Sequence, residues 1–185
     1  MALRMLFWFL LAAALAWLLW TMIRVPGESH RGPLPALTED ESRLALSLRR
    51  HVEALASREH NLFRPAALEA AARYLETALA EMGYAPQAQR FLTSLGEARN
   101  IEVRGSGEES IVIGAHYDSV AGAPGANDNG SGVAATLELA RRLRGAAPAR
   151  TLRFVFFVNE EPPFSRSMDM GSRRYALRAR ELARL

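Results

Sequence analysis

Two runs rich in β-branched and aromatic residues, Ser110–His116 and Leu152–Val158, bracket a segment, Ser131–Arg144, whose apolar residues recur at helical spacing. Continuous β-branched and aromatic runs suit strands buried on both faces, whereas Val133, Leu137, Ala140 and Leu143 line one side of a helix. Strand, loop, helix, strand is a βαβ unit, and its crossover is expected to be right-handed. A chain with such a unit belongs to the α/β class.

The flanking sequence supplies more elements of both kinds. Thr38-Glu39-Asp40-Glu41 is a capping box, followed by Leu44, Leu48, Val52 and Leu55 on one helical face. A second helix opens at Pro65, carries Leu68, Ala72, Leu75 and Leu79, and stops at Gly83. Gln87–Leu92 and Asn100–Arg104 alternate in polarity and suit a half-exposed or edge pair of strands. A last helix runs from Gly171 to Leu185 with Tyr175, Ala179 and Leu182 aligned. His51 and His60 fall on this packing framework, outside any cluster, and read as surface or core histidines.

The amino-terminal segment is of a different character. Met5–Ile23 is uncharged and strongly apolar, flanked by Arg4 and Arg24, with Trp8, Trp17 and Trp20 towards its ends. About 20 apolar residues span a hydrocarbon core, and indoles favour its interfaces. Residues 1–24 therefore read as a single-pass transmembrane signal anchor, 25–36 as a proline- and glycine-containing linker, and 37–185 as the functional domain. A cleaved signal peptide is the rival, with Ala14-Leu15-Ala16 as its site, but cleavage there leaves Trp17-Leu18-Leu19-Trp20 exposed. A short tail before a signal anchor places the following domain outside the cytoplasm.

Composition removes several chemistries. All 23 basic residues are Arg, so a P-loop lysine, a Schiff base and a pyridoxal anchor are excluded. The chain has no Cys, which excludes a thiol nucleophile and a thiolate metal site. Any metal must be held by His, Asp and Glu, a set that favours zinc or another borderline divalent ion over softer choices. The net charge of +3 is scattered among acids, which argues against a nucleic-acid partner.

Three short segments carry the remaining chemistry. His116 and Asp118 sit two apart at the carboxyl end of a strand, where they face one side and the carboxylate can orient the imidazole. Asp128 lies in a glycine-rich loop, Gly122–Gly132, directly before a helix; glycines admit close backbone approach, and the helix start carries positive partial charge. Glu160 and Glu161 emerge where a buried strand leaves the sheet, a costly place for two carboxylates unless cations or protons compensate them. Their side chains diverge, which lets one bind metal and the other act as a base. Read singly, each segment is also an ordinary strand-end turn, a capped glycine turn or a solvated acid pair.

Taken in order, His116-x-Asp118, Gly125-Ala-Asn-Asp128-Asn-Gly-Ser-Gly-Val-Ala, Phe156-Phe-Val-Asn-Glu160-Glu161 and Gly171-Ser172 resemble the co-catalytic zinc aminopeptidases, a family that includes glutamate carboxypeptidase-type and glutaminyl cyclase-like members. The resemblance implies a three-layer α/β/α fold around a central, mostly parallel mixed sheet. It implies His116 on one zinc, Asp128 bridging two, Glu161 on the other, Glu160 as general base and Asp118 orienting His116. In relatives the peptide bond after the bridging Asp is often cis, making Asp128–Asn129 a candidate. The implied reaction is hydrolysis of a peptide with a free amino terminus, with water activated between two zinc ions about 3.5–4 Å apart.

The same resemblance sets an expectation of incompleteness. Relatives supply a further Asp and His from later strands. Here no His follows His116, and Asp169, the one later Asp after Asp128, stands too early. Each zinc would keep two protein ligands, one of them shared, and the sheet would expose an apolar edge. Two alternatives accompany the membrane-anchored aminopeptidase: a truncated, non-catalytic remnant used for binding, and glutaminyl cyclase-like activity. Recruitment of His51 or His60 to finish the site is a further possibility.

Overall fold

In the computed structural model, residues 1–105, 110–146 and 150–182 are described. They form two compact units, Met1–Ala36 and Leu37–Leu185. The first contains α1 (Ala2–Ile23), none of whose residues is buried by protein. Its 22 residues, with a mean hydropathy of 2.1 over an 18-residue stretch, make it long and apolar enough to cross a membrane.

The second unit runs α2 (Glu39–Leu55), α3 (Pro65–Glu81), β1 (Gln87–Thr93), β2 (Gly96–Arg104), β3 (Ser110–His116), α4 (Ser131–Leu143), β4 (Thr151–Phe157) and α5 (Gly171–Leu182). The capping box at the start of α2 is formed: the Glu41 amide donates to Thr38 Oγ1, and Glu41 Oε2 accepts from the Thr38 amide at 2.7 Å. Pro65 stands at the first turn of α3. Residues 183–185, the expected end of the last helix, lie outside the described ones.

The sheet has the order β1-β2-β4-β3 and is mixed. β1–β2 and β2–β4 are antiparallel, and β3–β4 is the parallel pair joined through α4. Alternate residues of β4 point to opposite faces. Phe154 and Phe156 join Ile101, Val103, Leu75, Leu79, Val133 and Leu137 in one core, with the Tyr84 ring edge-on to Phe154. On the other face α5 brings Tyr175 edge-on to Phe157, and its hydroxyl reaches Glu102.

Two strands differ from expectation. β2 begins at Gly96 and lies inside the sheet, with Ala98–Ile101 and Val103 buried, because it pairs on both sides. β3 pairs only with β4 among the described strands. Its first residues are therefore exposed, Ile111 and Val112 at 45% each, and burial begins only at Ala115 and His116. The run's apolar composition, which suits burial on both faces, thus overstates what this edge position covers.

Candidate metal centre

The site lies at the carboxyl ends of the parallel pair β3 and β4, where strands of an α/β sheet deliver side chains to a common crevice. β3 ends on His116. The Tyr117 amide continues the pairing by donating to Phe157 O at 2.8 Å, and its buried hydroxyl donates to Arg99 O, also at 2.8 Å. This anchors the chain on both sides of Tyr117, so the neighbouring His116 and Asp118 have little freedom.

The Gly122–Gly132 loop carries Asp128 back over the end of β3. Gly125 is required there: its φ is +69°, and a Cβ would meet Asp128 O at 2.7 Å and Ser119 Cβ at 2.9 Å. The Asp128–Asn129 peptide is cis. Asn129 Oδ1 accepts from the Gly132 amide at 3.0 Å, in the first turn of α4, so this Asn serves as a helix cap. Asp128 thus stands immediately before a helix start.

These elements bring His116, Asp128 and Glu161 together, with one donor atom of each lying within 4.8 Å of the others. His116 Nε2 is 3.0 Å from Asp128 Oδ1 and 3.9 Å from Glu160 Oε2. The imidazole forms a buried floor at 8% exposure, while the Asp128 and Glu160 side chains, at 75% and 47%, rim the open side. Asp118 lies beneath at 2% exposure. Its carboxylate is 3.6 Å from His116 Nδ1, and its backbone carbonyl is closer, at 3.1 Å. The same carboxylate accepts from the amides of Glu160, at 3.1 Å, and Glu161, at 3.3 Å. Asp118 therefore bridges the two strand ends.

The electrostatics favour a cation. Burial works against protonation of His116, but the Asp118 hydrogen bond and charge, with Asp128 and Glu160, outweigh it and push the imidazole up to about 9. Burial, followed by the negative charge of Asp128, pushes Glu161 above the usual carboxylate range. Four carboxylates thus share one imidazolium, and the donor set of one imidazole nitrogen and two carboxylate oxygens suits zinc. The residues present fit such an ion.

The two other histidines considered for this site stand elsewhere. His51 Nδ1 is 2.7 Å from Tyr74 Oη, and the His60 ring is bonded to Arg58 O at 2.8 Å. The backbone of His60 nevertheless braces the site: its amide donates to Ser119 Oγ, and its carbonyl accepts from the Ser119 amide, both at 3.0 Å. Asp169 accepts from the Ser94 amide at 2.9 Å and lies outside the donor group. Ser119, Tyr117 and Asn100 support the centre without any local sequence signal, since each acts on a segment distant in the chain.

Residues 100–184 match the family model described as Peptidase family M28. Through that segment, somewhat under half of its length, the chain is similar to this peptidase family. The aminopeptidase YwaD of Bacillus subtilis (strain 168) is 34% identical over 93 residues, covering 50% of this chain and 20% of that protein. Among solved structures, a zinc-dependent exopeptidase from Parabacteroides distasonis superposes with a TM-score of 0.53 at 29% identity, covering 63% of this chain and 47% of that one. The glutaminyl cyclase of Tannerella forsythia gives 0.51 at 29% identity, covering 61% and 46%. The chain thus spans about a fifth of the curated relative's length and under half of these solved chains. The matched family segment contains every residue of the donor group.

Proposed function

We propose that this protein is a membrane-anchored zinc exopeptidase of aminopeptidase type, with His116, Asp128 and Glu161 holding the metal and Glu160 acting as general base. The observation that carries this reading is the convergence of His116, Asp128 and Glu161 within 4.8 Å, with Glu160 beside them on the open rim. When bound, zinc lowers the pKa of water and polarises a carbonyl. Glu160 would take a proton from that water and return it to the leaving amine, a reading supported by its carboxylate lying 3.9 Å from the floor imidazole. Asp118 fixes the backbone of the base and its neighbour, and orients His116.

The family resemblance adds a second ion bridged by Asp128. The donor group supplies the three protein ligands that one catalytic zinc generally uses. Equilibrium dialysis is expected to give one tightly held zinc, with a second bound weakly. Two equally tight ions would instead require donors beyond these three. For the membrane, the support is α1, long and apolar enough to cross one.

The test of the activity is hydrolysis of aminoacyl p-nitroanilides by the full chain in detergent, loaded with zinc. Glu160→Gln is expected to lower the rate by about 10²–10⁴-fold with metal content unchanged; Glu161→Gln is expected to lose metal. Metal loss on the first substitution and retention on the second would exchange the two roles. The likeness to a glutaminyl cyclase structure supports a second reading, and cyclisation of a glutaminyl peptide in place of anilide hydrolysis would select it.

A further inference from the structure

We propose that Asn100, on a strand that supplies no metal-binding group, is the positioning residue that holds the Glu160–Glu161 corner in place. Its side chain is fully buried and makes three hydrogen bonds, both amide hydrogens donated and the oxygen accepting one. Oδ1 accepts from the Val158 amide at 3.1 Å, and Nδ2 donates to Gly171 O at 2.8 Å and Gln89 Oε1 at 2.9 Å. Val158 and Gly171 are the two ends of the segment that carries both glutamates, and the Gly171 amide donates to Val158 O at 2.8 Å. One side chain thus closes the base of a loop whose ends would otherwise meet through a single backbone bond.

The fit leaves no slack. A Cβ on Gly171 would stand 2.3 Å from Asn100 Oδ1 and 2.3 Å from Val158 O, so only glycine allows the two ends to approach. Inside the loop, Asn159 Nδ2 donates to Asp169 O at 3.1 Å. The preceding residue of β2 grips the other arm of the site, because Arg99 O accepts the Tyr117 hydroxyl. Adjacent residues of β2 therefore hold both segments that meet at the metal centre. Asn100 acts through the backbone: displacing Val158 moves Glu160 and Glu161, two and three residues on, away from the Asp118 carboxylate that receives their amides.

The consequence for metal binding rests on the reading of His116, Asp128 and Glu161 as the zinc site, so the decisive measurement is made without metal. Amide hydrogen exchange at Glu160 and Glu161 is compared with that of core amides in the full chain and three variants. Asn100→Asp places an acceptor against Gly171 O and Gln89 Oε1, and Gly171→Ala forces the loop ends apart. Val103→Ala opens a cavity in the same strand, at a residue 2% exposed, without touching the latch. The expected result is exchange at Glu160 and Glu161 at least tenfold faster, relative to core amides, in the first two variants and not in the third. Zinc affinity is expected to fall at least tenfold in the same two, by analogy with other residues that orient metal ligands. Equal exchange in the latch variants and Val103→Ala would overturn the proposal. Should Asn100→Asp fail to fold, Gly171→Ala decides alone. A parent chain that binds no zinc would refute the metal-site reading, and the exchange comparison would still decide the latch.

Discussion

At the scale of single residues, the site is built by a few side chains that serve two segments at once. Asp118 is the clearest case, because one buried carboxylate faces His116 and receives the amides of Glu160 and Glu161. Hydrogen bonds to an ionised acceptor are stronger than neutral ones, and orienting partners of metal ligands matter nearly as much as the ligands. Asp118→Asn keeps one accepting oxygen and turns an amide donor towards a second donor. It is expected to weaken zinc binding by about 10–100-fold, measured by competition with a chromophoric chelator. Parent-like affinity would show that the carboxylate contributes packing alone. The convergence of His116, Asp128 and Glu161 was legible in the sequence only through three motifs taken in order, since each read singly is an ordinary turn or acid pair. Asn100 and Ser119 were not, because an Asn in a strand or a Ser in a turn has no local mark, and the partners that tie them to the site lie 58–71 residues away.

Elements are held together by polar contacts as well as by the core. α2, α3 and α4 meet around Glu138, which is buried at 3% exposure: Ser47 donates to its Oε1 at 2.6 Å, and Arg141 donates to its Oε2 at 2.7 Å. His51 of α2 sits among these groups, facing Tyr74 of α3 and Glu138 and Arg141 of α4, with Arg50 beside it on its own helix. Burial lowers the His51 pKa; Glu138 opposes this, and Arg50 and Arg141 reinforce it. A histidine depressed in the fold contributes stability that is present above its unfolded pKa of about 6.5 and lost as pH falls through the lower folded value. The parent is therefore expected to lose melting temperature relative to His51→Gln between pH 7.5 and 5.5. A constant difference across that interval would remove His51 from the pH response. The same elements show what periodicity can convey. α2, α3 and α4 were readable because apolar spacing and caps are local. The inner position of β2 was not, because Gly96-Glu97-Ala98-Arg99 has low β propensity. Arg99 is accommodated there by two carboxylates of α3: its Nη1 donates to Glu69 at 2.6 Å, and its Nε donates to Glu76 at 2.9 Å.

For the molecule as a whole, the chain divides into two units with different contents. Every donor of the candidate metal centre lies in Leu37–Leu185, and the segment suited to a bilayer lies in Met1–Ala36. α1 carries three tryptophans, Trp8, Trp17 and Trp20, all exposed on a helix that buries nothing. Leaving so much apolar surface in water is unfavourable by about 25 cal/mol per Å², a cost that a bilayer would remove whether the helix serves as anchor or as signal. The full chain is expected to sediment with membranes and resist extraction by alkaline carbonate, with intact mass retaining residues 1–24. A chain beginning at Leu37 is expected to remain in the supernatant and bind zinc within about twofold of the full chain, since all the donors stay within one compact unit. Extraction by carbonate, or a mature amino terminus just beyond Ala16, would replace the anchor with a cleaved signal. A large loss of zinc affinity in the shorter chain would show instead that the first unit supports the metal centre.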